Sequence, residues 1–376
     1  MKIGITCYPT YGGSGAVATE LGMHLARRGH EVHFVSYAQP FRLPGFLRNA
    51  FFHEVEVTRY PLFEYPPYSL ALTVVMHEVA TQRGLDLFHV HYAVPHATSA
   101  WLAKQMLDRP DDLKVVTTLH GTDITLVGHD PSYRSIVSFS IARSDGLTAV
   151  SEYLKSETVK RFGCDGSDVR VIPNFVDPSV FSRDAYECHR DALAEPGEKI
   201  LMHISNFRPV KRLQDVVGIA ARVMDEVPAR LVLVGDGPDR PLAEGEARDL
   251  GIEDRVDFLG KQESVAELLA CADIFLLPSE SESFGLVALE AMASEVPVVG
   301  TRCGGLEEIV RDGVTGRLLP VGAVPEMAEA VIEILSEDGR REEMGVAGRQ
   351  DAVDRYSAER IVPIYEAYYR EVLERG

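Results

Sequence analysis

Short apolar runs alternate with amphipathic stretches along this sequence, and this alternation limits the choice of fold more than any other feature. In the first half, the apolar runs have the length and composition of β-strands. The strand candidates are Lys2–Cys7, His30–Ser36, Phe52–Val57, Leu85–His91, Lys114–Leu119 and Gly146–Val150. The helix candidates are Ala16–Arg28, His77–Arg83, Ala97–Leu107 and Ile136–Ala142. Strands that alternate with helices predict a parallel sheet covered on both faces.

The alternation pauses once, around Ile172–Pro178, and the chain stays irregular as far as Gly197. Strand candidates then resume at Lys199–Ile204, Arg230–Val234, Val256–Leu259, Ile274–Leu277, Pro297–Gly300 and Gly316–Leu319. A chain of 376 residues is also too long for one hydrophobic core. We therefore predict an α/β protein of two doubly wound, Rossmann-like domains, 1–172 and 173–357, that face each other across a ligand-binding cleft. A last helix, about 358–376, is expected to pack back on the first domain.

The composition argues against several classes of partner and site. The net charge of −19 disfavours nucleic acid, because binding to its phosphate backbone needs a basic face. No apolar run reaches about eighteen residues and the chain opens on a strand, so we expect a cytoplasmic protein without a membrane span. The five cysteines are widely spread and form no C-x-x-C pair. We expect reduced thiols, with Cys7 and Cys271 as small core residues.

The segment Glu282-Ser-Phe-Gly-Leu-Val-Ala-Leu-Glu290 joins a strand candidate to a helix rich in Ala, Leu and Met. The first glutamate precedes the helix and the second lies within it, so both carboxylates could face one ligand at the helix start. The backbone N–H groups of Phe284, Gly285 and Leu286 would have no helical partners there and would suit an anion such as phosphate. The alternative is that neither glutamate binds a ligand. Glu282 would then interact favourably with the helix dipole from the first turn, and Glu290 would be a solvated helix residue.

A glycine-rich turn, Gly12-Gly-Ser-Gly15, follows the first strand candidate. With Ala18 it matches the G-x-G-x-x-A form of the dinucleotide-binding fingerprint. That fingerprint expects an acidic residue after the second strand, where this chain has Val35-Ser-Tyr37. We therefore disfavour a nicotinamide cofactor and interpret Gly13 and Gly15 as part of a loop that another anion approaches closely.

Basic residues follow the first strand candidate of the second domain, in Ser205-Asn-Phe-Arg-Pro-Val-Lys-Arg212. Arg208, Lys211 and Arg212 would lie at the carboxyl edge of the sheet, where guanidinium and ammonium groups together can neutralise a diphosphate. The chain contains no Asp-x-Asp motif for a metal ion, which favours this interpretation over a chance basic run at a solvated helix start.

His120 follows the strand candidate Lys114–Leu119 and is predicted at the carboxyl edge of the first sheet. A histidine there could hydrogen-bond a substrate or transfer a proton. A capping or core role is the alternative. His89 and His91 alternate along a neighbouring strand, but without a third ligand we do not expect a metal site.

Together these motifs resemble the retaining nucleotide-sugar glycosyltransferases of family four, which have the GT-B architecture, and the resemblance covers essentially the whole chain. It implies that Glu290 holds the ribose hydroxyls of UDP and Glu282 the sugar hydroxyls. Arg208 and Lys211 would bind the diphosphate, Gly15 would allow its approach, and His120 would lie beside the transferred sugar. The implied catalytic set is His120, Arg208, Lys211 and Glu282. The implied donor-binding set is Gly13, Gly15, Asn206, Arg208, Lys211, Glu282, Ser283, Phe284, Gly285, Leu286 and Glu290.

Further strings resemble, within this family, the enzymes that transfer N-acetylglucosamine from its UDP donor to L-malate in bacillithiol biosynthesis. They are Ile3–Pro9, Pro40–Leu43, Glu64–Tyr68, His91–His96, Thr117–Thr125 and His203–Arg208. The implied acceptor contacts are Ser14, Tyr92, Thr118 and a cation for the malate carboxylates. Such enzymes carry an arginine just before the residue matching Phe139, where this chain has Ser138. We expect the cation at Arg143, with Arg134 as the alternative.

The resemblance also implies a retaining, metal-independent transfer without a cofactor, in which the leaving phosphate accepts the proton of the malate hydroxyl. Three alternatives stay open at this point. One is a transferase with another small acceptor, and another is a UDP-sugar epimerase of the same architecture, which needs no acceptor. The third is a two-domain sugar-binding protein, which has no need of cations for a leaving group. The oligomeric state is also open, a homodimer being one option.

Overall fold

The computed structural model describes residues 1–10, 12–57, 64–186, 188–337 and 339–375. Contacts between Cα atoms divide the chain into two units, Met1–Asn174 with Ala358–Gly376, and Phe175–Ser357. Each unit contains one parallel β-sheet, as the alternation of apolar runs predicts. Within the described ranges, no helix combines the length and the apolar character that a bilayer span requires.

The strands of the first unit are β1 (Lys2–Thr6), β2 (Glu31–Ser36), β3 (Ala50–Glu54), β4 (Leu87–His91), β5 (Lys114–Leu119), β6 (Gly146–Ala149) and β7 (Val169–Val171). Those of the second are β8 (Lys199–Ile204), β9 (Ala229–Val234), β10 (Val256–Gly260), β11 (Ile274–Leu277), β12 (Val298–Thr301) and β13 (Gly316–Leu319). The sheet orders are β3-β2-β1-β4-β5-β6-β7 and β10-β9-β8-β11-β12-β13. The order reverses between β1 and β4 and between β8 and β11, and ligands bind beside such points.

The helices are α1 (Gly13–Arg27), α2 (Tyr68–Arg83), α3 (Thr98–Gln105), α4 (Pro131–Arg143), α5 (Glu152–Phe162), α6 (Leu213–Met224), α7 (Arg240–Asp249), α8 (Ala266–Cys271), α9 (Leu286–Ala293), α10 (Leu306–Ile309), α11 (Val324–Ser336), α12 (Arg340–Tyr356) and α13 (Ala358–Glu374). Short turns of 3₁₀ or π type at 93–97, 122–129 and 209–211 follow β4, β5 and β8. Because these turns come directly after strand ends, they shape the carboxyl edges of both sheets.

Helix α13 packs within the first unit. The Tyr369 hydroxyl lies 2.7 Å from Nδ1 of His89 on β4. The Leu147 N–H donates to the Tyr368 hydroxyl over 2.9 Å. Tyr365 and Tyr369 are fully buried. The last helix is therefore part of the core of the first unit, although residues 175–357 separate it in sequence from β7.

One prediction from the cysteines is wrong. Cys188 and Cys271 form a disulfide, with their Cα atoms 5.4 Å apart and a sequence separation of 83. Cys271 ends α8 and is buried, so it is both a core residue and a paired one. Cys7 and Cys303 are buried free thiols, and burial raises the pKa of Cys7 to about 12. Spacing alone could not reveal a pairing over such a distance.

Candidate active site

The loops after β8 and β11 meet at the carboxyl edge of the second sheet. The two strands are neighbours, and the Glu280 N–H donates to the Val210 carbonyl over 2.8 Å. This bond joins the loop that carries the predicted cations to the loop that leads into α9. The predicted residues of the second unit therefore lie on two connected segments, 205–211 and 279–290.

Lys211 and Glu282 are paired. Nζ of Lys211 lies 2.6 Å from Oε1 of Glu282, and the Ser279 hydroxyl donates to the same carboxylate over 2.7 Å. Glu282 is 8% exposed. An ammonium and a hydroxyl together fix the direction of this buried carboxylate. A group that binds a ligand in one geometry needs such a fixed direction. Ser279 was not predicted, because nothing distinguishes it in sequence from the serines around it.

The start of α9 has the backbone geometry on which the prediction of an anion site depends. Gly285 caps the helix with a φ of 93°, a left-handed conformation that favours glycine. Among the described residues, the N–H groups of Phe284, Gly285 and Leu286 have no hydrogen-bond acceptor. Glu290 lies within α9 and is 5% exposed. Ser283 completes this segment, and the missing side chain of Gly305 makes room for its carbonyl, since a Cβ there would lie 2.3 Å from it.

Arg208 and Asn206 are exposed on the loop after β8. The described residues offer the Arg208 guanidinium no ion-pair partner, whereas Arg212 donates to Asp215 over 2.7 Å. Arg208 therefore presents an available positive charge beside Lys211. Arg212 belongs to the same basic run, but its guanidinium is ion-paired with a residue in the first turn of α6.

In the first unit, Ser14 at the start of α1 meets Tyr92 after β4. The Ser14 hydroxyl lies 2.7 Å from the Tyr92 hydroxyl. Tyr92 has a φ of 83°, which is uncommon for a residue with a side chain and common at ligand sites. Gly13 is exposed, while a Cβ on Gly15 would lie 2.8 Å from the carbonyls of Tyr8 and Thr10. The chain's own loop therefore already requires glycine at position 15.

His120 is held by a second histidine. Its Nε2 lies 2.8 Å from Nδ1 of His91, and the two rings stack with centroids 5.0 Å apart. Burial lowers the pKa of His120 to about 3, so the ring is neutral near pH 7. The N–H groups of His120 and Gly121 donate to the buried Asp123 carboxylate over 3.3 and 3.0 Å. His91 and Asp123 fix the direction of His120, and neither was predicted to act on it.

The position of Thr118 does not support its predicted contact with the acceptor. Its side chain is fully buried, and its hydroxyl lies 2.6 Å from both Nε2 of His89 and the Thr148 hydroxyl. The Thr118 carbonyl accepts the Tyr92 N–H over 2.9 Å. Thr118 therefore supports Tyr92 from within the sheet. In a sheet covered on both faces, strand alternation does not tell which residues reach a ligand.

Neither candidate for the acceptor cation is hydrogen-bonded to Ser14, Tyr92 or His120 among the described contacts. Arg134 donates to the Arg161 carbonyl over 3.1 Å. Arg143 is the last residue of α4, and its guanidinium turns back to lie 5.7 Å from the Phe139 ring centroid. The described part of the chain offers that guanidinium no hydrogen-bond partner. It also contains no group of three His, Cys, Asp or Glu side chains arranged to hold a metal.

Comparison with known proteins identifies the family. Residues 11–180 match the model of Glycosyltransferase Family 4, and residues 186–351 match that of Glycosyl transferases group 1. The N-acetyl-alpha-D-glucosaminyl L-malate synthase of Bacillus anthracis is 50% identical over 374 residues, which cover 99% of this chain and 97% of that protein. The D-inositol 3-phosphate glycosyltransferase of Actinosynnema mirum is 31% identical and covers 88% of this chain and 85% of its own length.

Solved structures support the same conclusion for the fold. Sucrose-phosphate synthase from Thermosynechococcus elongatus superposes with a TM-score of 0.83 at 22% identity, and the match covers all of both chains. Two units with parallel sheets, the two family models and the 50% identical relative all agree. The chain belongs to the family four glycosyltransferases and has the GT-B architecture of two Rossmann-like domains.

Proposed function

We propose that this chain transfers N-acetylglucosamine from UDP-N-acetylglucosamine to the hydroxyl of L-malate with retention of the α configuration, the first step of bacillithiol biosynthesis. The observation that carries the choice of substrates is the 50% identity, over 99% of the chain, to an N-acetyl-alpha-D-glucosaminyl L-malate synthase. Apart from Thr118, the site residues described above are compatible with this reaction.

The second unit is proposed to bind the donor. Glu290 accepts hydrogen bonds from the ribose hydroxyls, and Glu282 accepts them from the sugar. Lys211 and Arg208 stabilise the negative charge that grows on the departing diphosphate, together with the N–H groups at the start of α9. Two observations support this role: Lys211 pairs with the buried carboxylate of Glu282, and the Arg208 guanidinium has no ion-pair partner among the described residues. Asn206 and Ser283 belong to the same two loops and complete the proposed donor contacts.

The first unit is proposed to bind the acceptor. In the Ser14–Tyr92 pair one hydroxyl donates to the other, which leaves one O–H to donate to a malate carboxylate, and Arg143 or Arg134 supplies a positive charge. His120 is proposed to contact the transferred sugar as a neutral hydrogen-bonding group, with Gly13 and Gly15 in the nearby loop. A local cation matters more for malate than the distant negative charges of this acidic chain, because solvent and salt screen those charges.

The proposed reaction exchanges one bond at the anomeric carbon for another on the same face. The bond from that carbon to the β-phosphate oxygen breaks, and a bond to the malate hydroxyl oxygen forms. The hydroxyl proton moves to the departing β-phosphate, which therefore serves as the base, and UDP leaves. No protein nucleophile, metal or cofactor takes part in this route. The enzyme is proposed to act in the cytoplasm, and light scattering of the purified protein will show whether it is a homodimer.

Mass spectrometry tests the proposal directly. Purified protein is incubated with UDP-N-acetylglucosamine and, separately, L-malate, D-malate, L-lactate, D-inositol 3-phosphate or no acceptor. We expect a product heavier than L-malate by one N-acetylhexosamine residue, formed much faster than any other product. Transfer only to D-inositol 3-phosphate would reject malate as the acceptor. A new UDP-sugar isomer formed without acceptor would instead indicate an epimerase.

A further inference from the structure

The loop that carries Arg208 is held by a series of hydrogen bonds that begins at a buried histidine. His203 lies on β8 and is fully buried, and burial lowers its pKa to about 4. The ring is therefore neutral near pH 7 and carries one N–H. Its Nδ1 lies 2.8 Å from the Leu276 carbonyl. Because a carbonyl only accepts, the proton is on Nδ1 and Nε2 is an acceptor.

Ser205 provides the next link. Its hydroxyl lies 2.8 Å from Nε2 of His203 and donates to it, since that nitrogen carries no proton. The Ser205 oxygen in turn accepts the Phe207 N–H over 3.2 Å. Every donor in this series faces an acceptor, so the bonds strengthen one another. The direction of the Ser205 hydroxyl is thereby fixed by a histidine whose own tautomer is fixed by β11.

The backbone held in this way is strained and tightly enclosed. Phe207 has a φ of 39°, an uncommon value for a residue with a side chain, and its ring is fully buried. A Cβ on Gly237 would lie 2.2 Å from the Asn206 carbonyl, so glycine is needed for the close approach of the neighbouring loop. The Asp239 N–H donates to the Phe207 carbonyl over 3.0 Å. A strained loop persists only when its surroundings determine it, and Ser205 supplies part of that support.

We propose that His203 and Ser205 are positioning residues for diphosphate recognition, which hold the loop so that Arg208 and Lys211 meet the phosphates of the donor. Neither residue needs to touch the ligand. This inference rests on the proposed function, because it takes the diphosphate as the group that Arg208 and Lys211 bind. It predicts that substitutions of these two residues weaken recognition of the phosphates and leave binding of the nucleoside unchanged.

Calorimetry with two probes, UDP and uridine, provides the test. Ser205→Ala removes the hydroxyl and is expected to raise the Kd for UDP about fivefold to tenfold, the effect of one ordinary hydrogen bond. The Kd for uridine, which lacks phosphates, is expected to stay at the wild-type value. Ser205→Thr keeps the hydroxyl and is expected to retain the wild-type ratio of the two constants. His203→Phe keeps a ring but removes both hydrogen bonds, and we expect it to behave like Ser205→Ala.

The possible outcomes separate this inference from the proposed function. A wild-type ratio of UDP to uridine affinity in Ser205→Ala and His203→Phe would overturn the positioning role. Equal losses for UDP and uridine would overturn it as well, because they indicate a general structural defect, as would failure of Ser205→Thr to retain the ratio. If the wild-type protein itself bound UDP no more tightly than uridine, the proposed diphosphate site would fail instead.

Discussion

The ammonium group of Lys211 lies 2.6 Å from the carboxylate of Glu282, and both side chains are largely shielded from solvent. In the proposed reaction, Lys211 binds the diphosphate and Glu282 binds the sugar. The pair keeps both charges compensated before the donor arrives, which limits the cost of burying either one. The same contact joins the two loops that carry the proposed donor site.

Removing Lys211 should therefore weaken UDP binding for two reasons. Lys211→Ala deletes a cation and leaves the buried Glu282 carboxylate uncompensated beside the phosphates. We expect UDP to bind about tenfold to a hundredfold more weakly, from the loss of a charge-assisted contact of about 1.5 to 3 kcal/mol. Titration calorimetry measures the change. Lys160→Ala, at a position 77% exposed in the first unit, is the control and should bind UDP normally.

Glu290→Ala should weaken UDP binding through the ribose. The carboxylate is buried in α9, and the loss of two hydrogen bonds to a charged group is expected to cost about 1.5 to 3 kcal/mol. Glu329→Ala, on the exposed side of α11, serves as the control. A folded Glu290→Ala protein with wild-type UDP affinity would show that this glutamate does not hold the ribose.

Turnover should not depend on a metal ion. Arg208 and Lys211 can neutralise the leaving diphosphate, and the chain has no Asp-x-Asp motif. Product formation measured with and without excess EDTA is expected to proceed at the same rate. Loss of activity in EDTA that magnesium restores would mean that the two cations do not take the place of a metal.

The two candidate arginines can be separated kinetically. Arg134 is hydrogen-bonded to the Arg161 carbonyl, whereas the Arg143 guanidinium has no such partner in the described chain. We therefore expect Arg143→Ala to raise the KM for malate about tenfold or more, as the loss of a charged contact would, with unchanged UDP affinity. Arg134→Ala should change neither. The opposite pattern would assign the role to Arg134, and two variants with normal malate KM would argue against malate as the acceptor.

Glu366 should make the stability of the first unit dependent on pH. The Arg28 guanidinium and His30 hold the pKa of this buried carboxyl at about 2, below its ordinary value of 4.5. A lowered pKa stabilises the fold above pH 4.5, and the contribution is lost as the pH falls toward 2. We expect Glu366→Gln to reduce the free energy of unfolding by about 2 to 3 kcal/mol at pH 7.

Urea unfolding at pH 7 and at pH 3.5, followed by far-ultraviolet circular dichroism, measures this contribution. The difference between wild type and Glu366→Gln should shrink at the lower of these two chosen pH values. Glu374→Gln is the control on the same helix, at an exposed position. A constant difference at both pH values would contradict the assignment of the low pKa to Glu366.

Most of the sheet could be predicted because buried parallel strands appear in the sequence as short continuous apolar runs. Prediction failed where the strand is at an edge or is very short. β3 is only partly buried and lies at 50–54, earlier than the predicted run, and β7 has three residues and was missed. Helix α2 begins at Tyr68, well before the predicted start at His77. The prediction missed its first turns because they are as apolar as its buried face.

The sequence identified the residues of the candidate site more readily than the contacts between their side chains. Motifs identified Lys211 and Glu282, but 71 positions separate them, and no pattern indicates that they pair. The same is true of His91 with His120 and of Cys188 with Cys271. Side chains from different strand ends come together only through the order of the sheet, which a single sequence does not contain.

The position of α13 has a consequence for how the chain is made. The first unit is discontinuous, since its last helix follows residues 175–357, and the second unit is a single uninterrupted segment. A ribosome synthesising this chain therefore completes the second unit before it can complete the first. Until Tyr365 and Tyr369 emerge, Nδ1 of His89 lacks its tyrosine partner, and the apolar surface of the nascent first sheet stays open to chaperones and to aggregation.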